Sequence, residues 1–243
     1  MAVAATPPKY RRALLKLSGE VLLGSQQFGI DNAVASRFAN EIKAVTDAGT
    51  QICVVIGGGN IFRGLAGAAS GMDRVKADYM GMLATVMNAV AIGNALDQCG
   101  ARSVVFSAIA AEIGARRFNR DEAVRELEAG RTVIFGGGTG NPFFTTDTTA
   151  ALRAAEMNCD VILKGTKVDG IYSADPAADL HAERYDRLTY DEALAKNVKI
   201  MDAAAFAIAR DAKIPIVVFS LQQEGNIAKA LSGEVPSTLV TAG

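Results

Sequence analysis

The sequence predicts an α/β fold in which helices cover both faces of a mostly parallel sheet. Apolar segments typical of strands alternate with helical patterns along the whole chain of 243 residues. Several strand segments are continuous apolar runs, such as ICVVI at 52–56, which indicate strands that are buried on both faces. No internal repeat or low-complexity linker divides the chain, so we expect a single domain over residues 1–243.

Apolar runs and helix-capping residues place the elements of the first half of the chain. Asp31 is a capping residue that begins a helix running to about residue 48, and Gly49 ends this helix. The pattern predicts strands at 12–17, 52–56, 103–106 and 132–135, and further helices at 74–96 and 120–129.

The second half of the chain continues the alternation with a helix at 146–157 and a strand at 161–164. Residues 167–176 are interpreted as a hairpin or excursion that turns at Asp169-Gly170, because this dipeptide favours tight turns. The remaining predicted elements are helices at 190–195, 203–212 and 226–231, and strands at 216–219 and 238–240.

The composition argues against several classes of protein. Lysine and arginine total 25 and aspartate and glutamate total 26, for a net charge of −1. A protein that binds duplex nucleic acid usually has a basic excess, so we expect no nucleic-acid partner. Hydrophobic residues make up 50% of the chain, and this share excludes a disordered protein. The single histidine, His181, argues against a histidine-rich metal site and against a Ser-His-Asp triad.

The sequence also predicts a cytoplasmic protein that does not enter a membrane. The first ten residues hold no apolar signal region, and Asn88 and Asn94 interrupt the most apolar run, at 80–96. That run is shorter than the roughly 20 residues of a membrane span. Its helix has few polar positions, so we expect it to lie at a subunit interface. The three cysteines are far apart, which favours reduced thiols.

Glycine-rich loops follow three predicted strands, at 16–19, 57–60 and 136–140. Such loops bring backbone N–H groups close to an anion, and ligands of parallel sheets bind at the carboxyl ends of the strands. A single loop of this kind could equally be a tight turn, but two glycine triplets favour phosphate or nucleotide binding. The chain has no Gly-Lys pair for a P-loop, and Phe62 and Asn141 stand where the dinucleotide fingerprint needs its third glycine.

Charged residues beside these loops are candidate phosphate ligands. Lys16 and Lys164 lie near the ends of apolar strands, and Arg63 follows the first glycine triplet. Each lysine could neutralise a phosphoryl oxygen, although a strand lysine can also extend to the surface. Asp147 either caps a helix or orients the two lysines.

Six motifs together resemble the bacterial UMP kinases of the amino acid kinase fold family. They are LLKLSGE at 14–20, VVIGGGNIFRG at 54–64, GMLATVMN at 81–88, GTGNPFFTTD at 138–147, LKGTKVDGIYSADP at 163–176 and KIMDAAAFAIARD at 199–211. The resemblance implies a three-layer αβα sandwich that transfers the γ-phosphoryl group of ATP to UMP with Mg²⁺. It also implies a homo-oligomer, a hexamer, with the UMP site mainly in the N-terminal part and the ATP site mainly in the C-terminal part.

The resemblance also assigns roles to individual residues. The implied catalytic residues are Lys16, Lys164, Asp147 and Arg63. The implied ATP contacts are Lys16, Leu17, Ser18, Gly19, Gly59, Arg63, Thr166, Tyr172 and Asp175. The implied UMP contacts are Gly58, Asp78, Thr139, Gly140, Asn141, Pro142, Phe143, Phe144, Thr145 and Thr146. Asp78 would accept hydrogen bonds from the ribose hydroxyls, whereas Tyr172 could instead be an edge-strand aromatic residue. No protein side chains are expected to form a metal cage, because Mg²⁺ would bind ATP phosphates.

Regulation is a further implication of the resemblance. Similar enzymes are often activated by GTP between subunits and inhibited by UTP, which competes with UMP. The helix at 80–96 offers no cation at Gly93 or Asp97, so we predict that GTP binds through Arg102 and Arg131. Both could instead be ordinary arginines beside strands.

Two alternatives to a UMP kinase share the same fold. One is a non-catalytic container similar to the molybdenum-storage proteins, and the retention of the charged residues argues against it. The other is a kinase for carbamate or an acidic amino acid, which GTGNPFFTTD disfavours.

Overall fold

The structure, a computed structural model of the chain, describes residues 9–62, 71–111, 114–176, 178–179, 181–196, 198 and 200–243. The strands are β1 (Arg12–Leu17), β2 (Gln51–Ile56), β3 (Ser103–Ser107), β4 (Arg116–Arg117), β5 (Thr132–Gly136), β6 (Val161–Thr166), β7 (Ile171–Tyr172), β8 (Arg184–Tyr185), β9 (Arg187–Thr189), β10 (Ile216–Ser220) and β11 (Ser237–Thr241). The helices are α1 (Asn32–Asp47), α2 (Arg74–Gln98), α3 (Arg120–Glu128), α4 (Thr146–Glu156), α5 (Tyr190–Ala195), α6 (Ala203–Asp211) and α7 (Asn226–Ser232). A short 3₁₀ helix covers Gly19–Leu23.

The central sheet has nine strands in the order β4-β3-β5-β2-β1-β6-β10-β11-β9. Every neighbouring pair is parallel except β10 with β11, so the predicted mostly parallel sheet is confirmed. From β1 the chain adds β2 toward one edge of the sheet, and from β6 it adds β10 toward the opposite edge. The boundary between β1 and β6 is therefore the point where the strand order reverses, and a crevice for ligands forms at the carboxyl ends of such strands.

Helices cover both faces of the sheet, which confirms the three-layer sandwich. Alternate residues of a strand point to opposite faces: Leu14 belongs to the apolar core on one side, and Ala13 and Leu15 belong to the core on the other. The first core includes buried residues of α3, α4, α5 and α6, and the second includes those of α1, α2 and α7. Burial on both faces explains why the central strands read as continuous apolar runs.

Segment 167–176 is an excursion from the central sheet, the second of the two forms that the sequence predicts, and is not a hairpin in itself. The chain bends at 167–170, and β7 pairs in antiparallel fashion with β8, at 184–185, in a separate two-stranded sheet. Gly170 also has a packing role, because a β-carbon there would lie 2.6 Å from Thr238 Oγ1. The next residue, Ile171, donates its N–H to the same hydroxyl at 2.8 Å. The glycine thus lets this segment pack closely against β11.

Helix α2 is the longest helix among the described residues, at 25 residues. Its length and composition would suffice to cross a membrane, but 56% of its apolar window is buried inside the structure. Two buried polar side chains of α2, Thr85 and Asn88, also bond to the loops that follow β5 and β2. These features are those of a core helix.

Candidate active site

Lys16, Lys164 and Asp147 form one buried ionic cluster at the point where the strand order reverses. Lys16 and Lys164 are register partners on the adjacent strands β1 and β6. Both ammonium groups contact the same oxygen, Asp147 Oδ1, at 2.7 Å from Lys16 and 2.5 Å from Lys164. Neither lysine extends to the surface, because both side chains are less than a tenth exposed. Of the two readings of Asp147, the structure therefore supports the one in which it orients both lysines.

The start of α4 holds Asp147 in place. Thr145 caps this helix, and its hydroxyl accepts the N–H groups of Asp147 at 3.0 Å and Thr148 at 3.3 Å. Asp202, which caps α6, in turn accepts hydrogen bonds from the hydroxyls of Thr145 and Thr148. Asp202 thus joins the starts of two helices behind the cluster. Sequence reasoning did not assign it a role, although an aspartate before an alanine-rich helix is a capping signal.

The charges of the cluster shift the pKa values of its members. Burial favours the neutral form of Asp147, but Lys16 and Lys164 outweigh it and hold its pKa below the ordinary value. Burial and the charge of Lys16 lower the pKa of Lys164 to about 8, against the opposing effect of Asp147. Lys164 is therefore mostly charged near pH 7, and two lysines share the one carboxylate of Asp147, an arrangement that favours an anionic phosphoryl group.

A cavity of about 530 Å³ opens beside the cluster. Six of the predicted UMP contacts line it, namely Gly58, Asp78, Thr139, Phe144, Thr145 and Thr146. The other predicted contacts, Gly140, Asn141, Pro142 and Phe143, are not among its lining residues. Sequence reasoning missed Glu20, Phe62, Arg74, Met82 and Thr85, which also line it. Gly59, a predicted ATP contact, lies in this cavity as well.

Asp78 already has two partners at the edge of this cavity. Arg74, one helical turn earlier, donates from Nε to both carboxylate oxygens at 3.0 and 2.9 Å. The backbone N–H of Phe143 donates to Oδ2 at 2.8 Å. Phe143 adopts a φ of 71°, a region that aromatic residues rarely occupy. These bonds fix the orientation of the Asp78 carboxylate and of the loop that ends at α4.

Five of the predicted ATP contacts lie at the ends of β1 and β6, namely Lys16, Leu17, Ser18, Gly19 and Thr166. The side chain of Leu17 is in the core, so only its backbone is available to a ligand there. Thr166 ends β6, and its hydroxyl donates to Val168 O at 2.5 Å. The adjoining cavity of about 420 Å³ is lined by Lys167, Val168, Asp169, Ser220, Gln222, Gln223, Asn226, Lys229, Glu234, Val235 and Pro236.

Sequence reasoning missed Ser220 of β10 and Asn226 and Lys229 of α7 in the wall of this second cavity. These two elements carry no recognisable phosphate motif. Tyr172 and Asp175 are not among the lining residues of this cavity. Tyr172 instead donates its hydroxyl to Asp169 at 2.6 Å, and Arg184 also binds Asp169, at 2.7 Å. Arg63, the remaining predicted phosphate ligand, lies outside the described residues.

Comparisons with known proteins show the family of the chain. The model of the amino acid kinase family matches residues 11–220. The uridylate kinase of Zymomonas mobilis is 56% identical over 233 residues, which cover 96% of each chain. That of Paramagnetospirillum magneticum is 54% identical over 236 residues, which cover 97% of this chain and 98% of the relative. The chain belongs to the uridylate kinases of the amino acid kinase family.

Solved structures support the same assignment of the fold. The UMP kinase of Bacillus anthracis matches with a TM-score of 0.92 and 37% identity, over 96% of each chain. The UMP kinase of Ureaplasma parvum matches with a TM-score of 0.91 and 35% identity, over 96% of this chain and 99% of that one. The predicted family and fold of this uridylate kinase are therefore confirmed.

Proposed function

We propose that this uridylate kinase transfers the γ-phosphoryl group of ATP to UMP, giving UDP and ADP for the synthesis of pyrimidine nucleotides. The observation that carries the proposal is the buried cluster of Lys16, Asp147 and Lys164, whose neighbours in the chain line two cavities. Thr145 and Thr146 of the first cavity directly precede Asp147, and Lys167 of the second cavity closely follows Lys164. In this proposal the phosphoryl group passes from the second cavity to the first beside both ammonium groups.

The acceptor nucleotide occupies the first cavity in this proposal. Asp78 accepts the ribose hydroxyls, and Thr139 and Phe144 contact uracil. Thr145 and Thr146, at the start of α4, donate hydrogen bonds to the acceptor phosphate. The loop residues 140–143 would reach UMP by closing over it. Gly58 and Gly59 bring the backbone close to the phosphates, and Arg63 clamps the phosphates between donor and acceptor.

The donor nucleotide lies across the ends of β1 and β6. Ser18 and Gly19 contact the ATP phosphates, and Thr166, Tyr172 and Asp175 hold the rest of the nucleotide. The described residues contain no cluster of three side chains suited to a metal ion. Asp147 Oδ1 is already bound to two lysines. The residues present therefore fit a Mg²⁺ ion that is held mainly by ATP phosphates and water. When bound, the ion would supply neutralisation of phosphate charge.

The reaction needs cations rather than a general base. The nucleophile is a phosphate oxygen of UMP, and a phosphomonoester has a second pKa of about 6. It is therefore largely dianionic at pH 7 and needs no side chain to remove a proton. Lys16 and Lys164 neutralise the charge that spreads over the transferring group, and Asp147 keeps them in position.

A phosphoryl-acceptor screen tests the proposed function. ADP release from ATP and Mg²⁺ is measured with UMP, dUMP, CMP, carbamate and acidic amino acids as acceptors. We expect UMP to give the highest kcat/KM. A higher value for another acceptor would overturn the substrate assignment, and no acceptor-dependent ADP release would favour the non-catalytic container.

The pH dependence of kcat/KM should be bell-shaped. Lys164, with a pKa of about 8, carries its charge below that pH and loses it above, so activity should fall as the pH rises through about 8. The acid limb, near pH 6, reflects protonation of the UMP phosphate. A Lys164→Arg variant should lack the alkaline limb, because arginine stays charged. An alkaline limb that persists in this variant would assign the titration to another group.

Asp78→Asn should weaken UMP binding more than ATP binding. The amide retains the shape of the carboxylate but loses its charge and one acceptor oxygen. Of the two nucleotides, only UMP should contact this side chain, through its ribose. Isothermal titration with each nucleotide separately measures both affinities. We expect the Kd for UMP to rise about tenfold and the Kd for ATP to change less than twofold. Equal losses for both nucleotides would remove Asp78 from the acceptor site.

We propose that the protein forms a homo-oligomer, a hexamer, in which a second copy covers the outer face of α2. Met80, Leu83 and Met87 recur at spacings of three and four residues on that face and are 41%, 51% and 56% exposed. An apolar stripe of this kind at helical spacing is suited to helix–helix packing. Analytical ultracentrifugation at micromolar concentration should show an assembly larger than a dimer, and a monomer would refute the proposal.

Regulation by GTP as activator and UTP as inhibitor is part of the proposal, with the GTP site at Arg102 and Arg131. In the described chain each arginine has an intramolecular partner: Arg102 donates to Ala129 O at 2.9 Å, and Arg131 Nε lies 3.0 Å from Glu126. GTP phosphates would have to replace these contacts. Activity that does not change across millimolar GTP would remove the effector site from the proposal.

The place of action is the cytoplasm in this proposal, since ATP and UMP are available there. The three cysteines are free thiols, as a reducing compartment requires. Cell fractionation measures the location, and activity found only outside the cytosolic fraction would contradict it.

A further inference from the structure

Two buried asparagines, Asn60 and Asn88, form a paired amide behind the glycine loop after β2. Asn60 Nδ2 donates to Asn88 Oδ1 at 3.0 Å, and Asn88 Nδ2 donates to Asn60 Oδ1 at 2.7 Å. Each Nδ2 group has a second acceptor: Gly29 O at 2.8 Å for Asn60 and Gly57 O at 2.7 Å for Asn88. Both side chains are almost completely buried, and all four of their N–H bonds are used.

The paired amide lies where the loop after β1 meets the loop after β2. We call residues 16–19 the donor loop, and residues 57–60, which line the first cavity through Gly58 and Gly59, the acceptor loop. Gly57 belongs to the acceptor loop, and its N–H donates to Leu17 O in the donor loop. Gly19 of the donor loop packs directly on this junction, because a β-carbon there would lie 2.5 Å from Gly57 O and 2.6 Å from Asn60 Oδ1. The contacts of Gly19 with Gly57 and Asn60 therefore determine how closely the two loops approach each other.

The helix that supplies Asn88 also carries two other contacts of the site. Asp78, near the start of α2, lines the first cavity. Thr85 accepts the N–H of Gly137, in the second glycine triplet, at 2.8 Å. Helix α2 therefore connects Asp78, the proposed ribose contact, with both glycine triplets. Asn88 links the helix to the first triplet through its hydrogen bond to Gly57 O.

We propose that Asn60 and Asn88 are positioning residues that set the distance between the ATP phosphates and the UMP phosphate. This inference rests on the proposed assignment of the two loops to donor and acceptor. In-line transfer requires the attacking oxygen and the phosphorus to be held close together, and an error of about 1 Å can cost on the order of a hundredfold in rate. Neither asparagine touches a reacting atom, so their effect is on alignment rather than on the binding of either nucleotide alone.

Steady-state kinetics of three variants test the proposal. Asn88→Ala removes the bonds to Gly57 and Asn60, and Asn60→Ala removes the partner amide. Asn40→Ala is the control, because Asn40 is an exposed asparagine on a helix, α1, and lines neither cavity. We expect kcat to fall at least tenfold in the first two, while the separately measured Kd values for UMP and ATP change less than threefold. The control should match the wild type. A double variant should lose little more than either single variant, because both residues act through one pair.

A bisubstrate analogue, uridine and adenosine joined by a chain of phosphates, measures the spacing directly. Its affinity should fall at least tenfold in Asn88→Ala and Asn60→Ala, because it must occupy both loops at their normal distance. If Asn88→Ala does not fold, Asn60→Ala decides the question, since it leaves α2 intact. A lower melting temperature with unchanged kcat and unchanged analogue affinity would overturn the proposal. Failure of the wild type to phosphorylate UMP would instead overturn the proposed function.

Discussion

In a Lys164→Ala variant we expect kcat to fall by about a hundredfold or more, with little change in KM for either nucleotide. Lys164 is buried beside the second lysine of the cluster and 2.5 Å from Asp147 Oδ1, so its ammonium group is held in place before substrates bind. Losing one fixed donor to a developing charge typically costs on the order of 3 kcal/mol in the barrier. A contact that acts mainly in the transition state lowers kcat and leaves KM nearly unchanged.

Lys43→Ala is a matched control for this variant. Lys43 lies on α1, lines neither of the two cavities and pairs with Asp47 one helical turn later. Surface pairs of this kind contribute little, so kcat should stay within about twofold of the wild type. Equal losses in both variants would indicate a general effect of removing a lysine charge, and unchanged turnover in Lys164→Ala would remove Lys164 from the catalytic residues.

An Asp147→Asn variant should lose both stability and activity. Two buried ammonium groups would then share no anion, and breaking a buried ion pair in this way typically costs about 3–5 kcal/mol. We expect a clearly lower melting temperature, measured by calorimetry, and a kcat about a hundredfold lower because the lysines repel each other out of alignment. ATP should restore part of the stability, since its phosphates supply negative charge.

Asp121→Asn provides the control for this substitution. Asp121 occupies the same kind of position, the first turn of a helix, but it is exposed and pairs only with its neighbour Arg120 in the described structure. Its loss should shift the melting temperature only slightly. A shift in Asp147→Asn no larger than that of the control would contradict the role of Asp147 as the shared counter-ion.

The sequence predicted the central part of the fold because burial and pattern coincide there. β1, β2, β5, β6 and β10 are apolar runs that end in recognisable loops. The structure has β1 at its predicted bounds and extends the other four strands by one or two residues. The short strands β4, β7, β8 and β9 were missed, since pieces of two or three residues carry no periodicity. The antiparallel pairing of β11 with β10 depends on contacts between distant segments, which a local pattern does not encode.

The same limit applies to the site. Lys16 and Lys164 were recognisable as charges at strand ends, but their registry across β1 and β6 follows from the strand order alone. Asp202, Asn60 and Asn88 act through hydrogen bonds to residues remote in the sequence, so no motif of phosphate chemistry marks them. The bond between Asp78 and Phe143 likewise requires a loop conformation with positive φ at Phe143. A phenylalanine in the sequence does not predict positive φ, because aromatic residues rarely adopt it.

Binding of a transition-state mimic tests the central claim, that the buried lysine pair neutralises the transferring phosphoryl group. Wild-type protein and Lys164→Ala are titrated with UMP in the presence of ADP, Mg²⁺ and aluminium fluoride, and separately with UMP and ATP alone. We expect the variant to bind the ternary mimic at least a hundredfold more weakly while its affinity for each single nucleotide changes less than threefold. Equal affinity of the two proteins for the mimic would contradict the claim.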